Sequence, residues 1–352
     1  MKPDLAIIIP TLNEAEALPA LLADLACQQG LTFEVVIADG GSTDATCRIA
    51  DEVFASGRLR GTYLVVPSGR GRQLNAGAAV ACANWLLFLH ADSRLHDVNL
   101  LRNALEFMRR HQQLQVSDAA AGHFPLRFDS PAGAREPGLC FYEVKARLGR
   151  PGCIHGDQGM LMTSSFFRDV GPFRQDLPVL EDTSLAEAIR SAGHWLLLPG
   201  ELVTSSRRFQ VEGLRERQTL NALMMNFLAI GWLDFFARAP DIYRQQDRTR
   251  TLQLLPFFRL IKTLLDSLPL RRRWDIWMAT GTYVRSQAWQ LGLALDCRKA
   301  CRHAGEITLL PGAWLNFFDR CFDPLTNHGP GRFVTALLVM AWFSWQLRIK
   351  AV

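Results

Sequence analysis

No stretch of this 352-residue chain stays apolar for the ~20 residues that a bilayer-spanning helix needs. The longest candidate, Phe333 to Leu347, is 15 residues, so no transmembrane helix is expected. The amino terminus lacks a basic leader, an apolar core and a small-residue cleavage site, and it enters a strand-like run at once. That points to a cytoplasmic chain. The eight cysteines form no paired framework, as expected of reduced, buried thiols. Cys297 and Cys301 with His303 have no second ligand pair of zinc-site spacing, and they read as one helical face at i and i+4. The first strand-to-helix turn has no G-x-G-x-x-G, and no G-x-x-x-x-G-K-[ST] loop occurs. The usual dinucleotide fingerprint and the P-loop are therefore both excluded. Internal repeats and low-complexity segments are absent too.

What is present is a globular composition, 49% hydrophobic and 21% charged, long enough for one large domain or two smaller ones. The net charge of +5 is mild, and no nucleic-acid partner is expected. That charge is unevenly placed. Residues 1–237 carry 22 basic and 26 acidic side chains, whereas residues 238–303 carry 13 basic against 5 acidic. Seven of the nine tryptophans also lie beyond residue 230. These contrasts suggest a division into residues 1–212 and 213–352.

Asp4 to Ile9, Phe33 to Ala38, Tyr63 to Val66 and Leu86 to Leu89 are short apolar runs suited to strands buried on both faces. The first is expected to stop at Pro10. Helix-spaced segments separate them: Ala17 to Ala26, a helix after G-G-S-T-D-A-T capped by Ser42 or Thr43, and Ala76 to Ala83. This alternation predicts right-handed βαβ units and a mostly parallel sheet, an α/β fold. Beyond a helix around Val98 to Arg110 the pattern loosens. Ala119 to Phe128 reads as a strand, Ser130 to Gly138 and Gly149 to Gly159 as loops, and Met160 to Met162 as a short strand. Glu181 to Ala192 reads as a helix with Asp182 at its N-cap; Trp195 to Leu198 and Leu202 to Thr204 read as strands. Everything after Gly213 looks helical. There, basic residues mixed with Trp, Phe and Leu suit either a helix lying in a membrane interface or a soluble helical cap with an aromatic core.

The polar ends of the four parallel strands carry the chemistry. They supply Pro10-Thr11, Asp39, the Gly69 to Arg72 loop and Asp92. Open α/β sheets bind ligands at the carboxyl ends of their strands. Asp39 can accept from a base or ribose, and Arg70 and Arg72 can balance phosphate charge. Asp92 can hold a hard divalent ion, because Mg²⁺ takes one or two carboxylates beside substrate phosphates. A nucleoside diphosphate fits that set.

The motifs I-I-I-P-T-L-N-E, I-A-D-G-G-S-T-D-A-T, G-R-G-R-Q-L-N-A-G-A, L-F-L-H-A-D, H-G-D-Q-G and L-E-D-T-S-L-A-E-A-I-R occur in this order between Asp4 and Arg208. As a set they resemble the family-2 glycosyltransferases of the GT-A fold, most of all the radical-SAM/selenodomain-associated subgroup. The resemblance implies that Pro10, Thr11 and Glu14 line a nucleotide pocket, that Asp39 contacts the base, and that Arg72 lies beside the base or phosphates. The family's aspartate-x-aspartate motif falls on His90-Ala91-Asp92 and departs from it at His90, which would contact the ribose or fill space. Asp92 would remain the ligand of Mg²⁺ or Mn²⁺. Asp182 of the Glu181-Asp182 pair would be the general base. Asp157, Gln158, Glu181, Arg207 and Arg208 would lie on the diphosphate or acceptor side. The implied activity is inverting transfer of a sugar from a UDP- or GDP-type donor to an acceptor hydroxyl or phosphate, with a lipid-linked acceptor bringing the protein to the inner face of a membrane. A nucleotidyltransferase of related fold and a non-catalytic membrane-associated module are the alternatives.

Overall fold

The computed structural model describes residues 2–115, 119–129, 137–246, 251–300 and 312–349. The chain forms two compact units, Met1–Ala132 with Lys145–Ser205, and Gly133–Val144 with Ser206–Val352. In the first, strands β1 (Leu5–Thr11), β2 (Phe33–Asp39), β3 (Gly61–Val65), β4 (Trp85–Phe88), β5 (Ala120–His123), β6 (Leu126–Phe128), β7 (Met160–Thr163), β8 (His194–Leu197) and β9 (Leu202–Thr204) make two sheets. Seven strands lie in the order β3-β2-β1-β4-β7-β5-β8, and β6 pairs with β9. Only β7 runs antiparallel to its neighbours in the large sheet. The sheet is therefore mostly parallel, as the alternation of strand and helix predicts.

Two expected boundaries move for physical reasons. The run over 119–128 is two strands in two sheets, interrupted near Pro125, which has no N–H to extend a ladder. Conversely, Pro10 does not stop β1, which continues to Thr11. Leu89 N donates to Ile8 O on the β4 side, and Gly40 N donates to Thr11 O on the β2 side. Pro10 shares the side of Ile8, where β4 has already ended, so its missing N–H breaks no ladder bond.

The helices of this unit are α1 (Leu18–Ala26), α2 (Thr46–Ala55), α3 (Arg70–Val80), α4 (Leu100–Gln115), α6 (Ser164–Val170) and α7 (Glu181–Ala192); α5 (Pro137–Lys145) begins in the other unit. Alternate residues of β1 serve two cores. Leu5, Ile7 and Ile9 face α1 and α4, while Ala6 and Ile8 face α3, α6 and α7. Burying each such Leu or Ile contributes roughly 1.5–3 kcal/mol. The small run Ala76 to Ala79 lets α3 lie close on the sheet: a Cβ on Gly77 would sit 2.5 Å from Ile8 Cγ2. α2 is not capped by Ser42 or Thr43. Asp44 Oδ1 accepts from Thr46 N at 3.0 Å, and the Ser42 hydroxyl turns to Asp39 instead.

The second unit is helical among its described residues: α8 (Arg207–Glu212), α9 (Leu214–Ala229), α10 (Asp234–Arg244), α11 (Leu255–Asp266), α12 (Leu270–Ser286), α13 (Trp289–Ala300), α14 (Ala313–Phe317), α15 (Asp323–Thr326) and α16 (Gly329–Ile349), with a π-helical turn at Phe318–Phe322. Its core is aromatic. Phe227 packs on Trp232 and Phe235, each with ring centroids 4.9 Å apart, and Phe257 and Phe258 are fully buried. Cys297 is buried on α13, whereas Cys301 and His303 lie outside the described residues. Among the described residues no helix is long and apolar enough to cross a membrane.

Candidate active site

The carboxyl edge of β1 and β2 is tied together by one aspartate. Asp39 Oδ2 accepts from Thr11 Oγ1 at 2.8 Å and Ser42 Oγ at 2.6 Å; Oδ1 accepts from the amides of Gly41 at 2.8 Å and Ser42 at 2.7 Å. Burial alone would raise its carboxyl, but these four donors outweigh burial and hold it below the ordinary value. Its acceptor positions are filled, so Asp39 orders the Gly40–Ser42 turn, and a ligand N–H would have to compete with the Ser42 hydroxyl. Asn13, at φ 56°, joins the first loop to this turn: its amide N donates to Ser42 Oγ, and its side-chain oxygen accepts from Thr43 N. Pro10 and Thr11 are buried here, and the Glu14 amide donates to Thr46 Oγ1 at 2.9 Å.

Helix α3 begins at Arg70, earlier than its Ala76 to Ala83 sequence signal, so the supposed Gly69 to Arg72 loop is its first turn. Gln73 Nε2 donates to Thr11 O at 2.7 Å and Ala38 O at 2.9 Å, pinning the helix to both strand ends. One turn earlier, Arg70 Nη1 meets Glu181 Oε1 at 3.2 Å. Arg72 is exposed.

Asp182 is not the N-cap of α7; it lies in the first helical turn, and Leu180 holds the cap position at φ 65°. Left-handed backbone at a leucine costs roughly 1–2 kcal/mol. It stands immediately before the acidic pair, whose direction it sets. Asp182 Oδ2 accepts from Gly156 N at 2.7 Å, and Oδ1 accepts from Thr183 N at 2.6 Å. Burial works against the Asp182 charge, but His155, Arg70 and the Gly156 amide together keep its carboxyl below the ordinary value. Glu181 goes the other way, raised by burial beyond what Arg70 offsets.

Gly156 brings the strand ends to Asp182. A Cβ there would lie 2.7 Å from His90 Nε2 and 3.0 Å from Asp182 Oδ2, so no larger residue fits without displacing one of them. Next to it, burial and the carboxylates of Asp182 and Asp92 push Asp157 up to about 7, and its Oδ1 is buried without a hydrogen-bond partner. His155 Nδ1 lies 2.9 Å from Thr183 Oγ1, and burial takes its imidazole down to about 4, which leaves it neutral near pH 7. Gln158 fastens this loop internally by donating to Cys153 O at 2.8 Å.

Asp92, Asp157, Glu181 and Asp182 thus act on Arg70, and His90 on Asp182, at the same sheet edge that holds Thr11 and Asp39. Arg207 and Arg208 open α8 in the second unit. Sequence reasoning missed His155, Gly156, Gln73 and Thr183 as individuals, although each lies in or beside a motif it singled out. For a divalent cation, an excess of carboxylates over the one guanidinium and an unpartnered buried oxygen on Asp157 make a suitable surrounding. Among the described residues no three His, Cys, Asp or Glu side chains form a cage. A cation here fits the mode in which one or two carboxylates act together with substrate phosphates.

The sequence model of glycosyl transferase family 2 matches residues 6–168. A "PGL/p-HBAD biosynthesis glycosyltransferase" of Mycobacterium bovis is 33% identical over 184 residues, covering 51% of this chain and 67% of the relative. Among solved structures, S. aureus TarS 1–349 in complex with UDP superposes with a TM-score of 0.50 at 18% identity, covering 84% of this chain and 87% of that one. A mannosyltransferase from Pyrobaculum calidifontis, in complex with GDP-Man and Mn²⁺, gives a TM-score of 0.50 at 18% identity, covering 97% and 88%. Those two likenesses concern the fold, which is of the GT-A type.

Proposed function

This chain belongs to glycosyl transferase family 2 and is a transferase, and from that we propose that it moves a sugar from a UDP- or GDP-type donor to an acceptor hydroxyl or phosphate with inversion. The observation that carries the reading is the arrangement of Asp92, Asp157 and Asp182 about Arg70, beside the polar turn of Asp39. The nucleoside occupies the edge formed by Pro10, Thr11, Glu14 and the Asp39 turn. The diphosphate lies toward Asp92 and Arg70, the latter taking the role that the sequence suggests for Arg72. A divalent ion held by Asp92, Mg²⁺ or Mn²⁺, would supply positive charge against the leaving diphosphate.

Asp182 is the base. It takes the proton of the acceptor as the acceptor oxygen attacks the anomeric carbon, while the bond to the diphosphate oxygen breaks on the opposite face. Its depressed pKa keeps it ionised, and the Gly156 and Thr183 amides fix its orientation. His90 packs against Gly156 beside this base, and the Glu181 and Asp157 carboxyl groups flank it on the acceptor side. The motif set supports placement in the radical-SAM/selenodomain-associated subgroup. Residues 1–212 would carry the transfer and residues 213–352 the approach to a lipid-linked acceptor, with peripheral membrane contact.

A thermal-shift panel of UDP and GDP with and without Mg²⁺ or Mn²⁺ tests the donor site. A nucleotide at about a hundred times its dissociation constant should stabilise by ~2.7 kcal/mol. Asp92→Asn should remove the metal-dependent part of the shift; an unchanged metal-dependent shift in that variant takes Asp92 out of the cation site.

A further inference from the structure

The second unit carries an outward apolar surface that its own core does not use. α16 has no charged side chain from Phe333 to Leu347, a length of ~22 Å at 1.5 Å per residue, and Arg332 and Arg348 bound it. Ala336 and Phe343 are buried, yet Val334, Leu338 and Trp345 are 52%, 65% and 56% exposed. These three are spaced i, i+4 and i+11, so they share one helix face. The patch extends to α12, because the Trp274 and Phe333 rings lie 6.1 Å apart and Leu270, one turn before Trp274, is 81% exposed. Exposed Arg271 and Arg272 follow Leu270 directly; Asp275 is the one acidic residue of α12, and α16 has none. Contiguous exposed apolar side chains on a helical surface mark an interaction site.

We infer that this α12–α16 face seats on an anionic lipid surface, the aliphatic and Trp side chains entering the headgroup boundary and Arg271 and Arg348 at its flanks meeting lipid charge. This deepens the peripheral contact proposed above. Charge selects the occupant. The second unit has 22 Lys and Arg against 13 Asp and Glu, +9, while the first is −4. A second copy packed on this face would present the same cations, whereas an anionic bilayer presents the complement. Trp beside Arg at the ends of an uncharged apolar run is the pattern of an interfacial helix. Four of the unit's seven tryptophans, Trp274, Trp314, Trp342 and Trp345, are more than a third exposed; in a helical cap closed on its own core they would be inside.

The test is flotation of the full chain with phosphatidylcholine vesicles, with and without phosphatidylglycerol. Binding should require the anionic lipid and weaken with salt, because exposed charges are screened over ~8 Å at physiological ionic strength. The double variant Leu338→Glu/Trp345→Glu changes only exposed positions and should reduce vesicle binding about tenfold or more. Arg271→Glu/Arg348→Glu should abolish the preference for anionic vesicles. Both should keep the nucleotide-induced thermal shift, a readout of the first unit that separates failure of this inference from failure of the transferase reading. No vesicle binding by the wild type, or equal binding by the Leu338/Trp345 variant, overturns the inference. So does a wild-type dimer in analytical ultracentrifugation that the same variant disperses, which would give the face to a second copy.

Discussion

Arg70 and Arg72 show what a single residue position decides. Two residues apart on a helix, their side chains point about 200° apart, so only one can face the carboxylates. Sequence shows both cations but not the phase of the helix; the structure selects Arg70. Gly156 is the complementary case, a residue whose value lies in having no side chain. Gly156→Ala should displace His90 or Asp182 and lower kcat roughly 10- to 100-fold, since a misplacement near 1 Å can cost that much. Circular dichroism and melting should stay near wild type; normal turnover would show that the close approach is not used. Asp157 gives a pH signature. Its folded pKa of about 7 lies above the ordinary aspartate value, so the folded state holds an extra proton between about pH 4 and 7 and loses stability as pH rises through that window. Measured in chelator, Asp157→Asn should be more stable than wild type above pH 7, by about 1–3 kcal/mol, and the difference should shrink toward pH 4. A difference independent of pH would remove the carboxylate repulsion from the account.

At the level of elements, β1, β2 and β4 were legible because buried parallel strands read as unbroken apolar runs, whereas β3, expected as buried over Tyr63 to Val66, is a part-exposed edge strand over Gly61–Val65. β2 ends at Asp39 and α7 runs from Glu181 to Ala192, as their patterns indicate. What escaped was set by tertiary contact. Glycines at 69 and 71 lower helix propensity, yet α3 starts at Arg70 because its first turn is held from outside, by Glu181 on one side and by two strand carbonyls on the other. The start of α7 at a left-handed leucine has no local sequence signal at all. α3 can be tested through Gln73. Gln73→Leu keeps the volume but strips donors from the buried Thr11 and Ala38 carbonyls, and should lower stability by about 1–3 kcal/mol in urea titration. Nucleotide affinity should fall with it, because the same two carbonyls border the Asp39 turn. Full stability would show that water replaces the amide.

For the molecule as a whole, composition suggests an acidic α/β part over residues 1–212 and a basic, tryptophan-rich helical part over 213–352; the two compact units instead divide at Ser205/Ser206 and put Gly133–Val144 with the helical part. The motif order from Asp4 to Arg208 marked the sheet edge where the carboxylates meet. It did not show that Asp182 would be gripped by two amides, because one of them comes from a loop 26 residues away. The central claim is that this edge holds a nucleoside-diphosphate-sugar and that Asp182 takes the acceptor proton. The most direct test measures sugar transfer from the donor that best stabilises the protein, in wild type and Asp182→Asn, beside donor titrations of both. Turnover should fall about 10²- to 10⁴-fold with donor affinity little changed. Near-normal turnover in the variant would contradict the assignment of the base, and loss of donor binding would move Asp182 to the donor side.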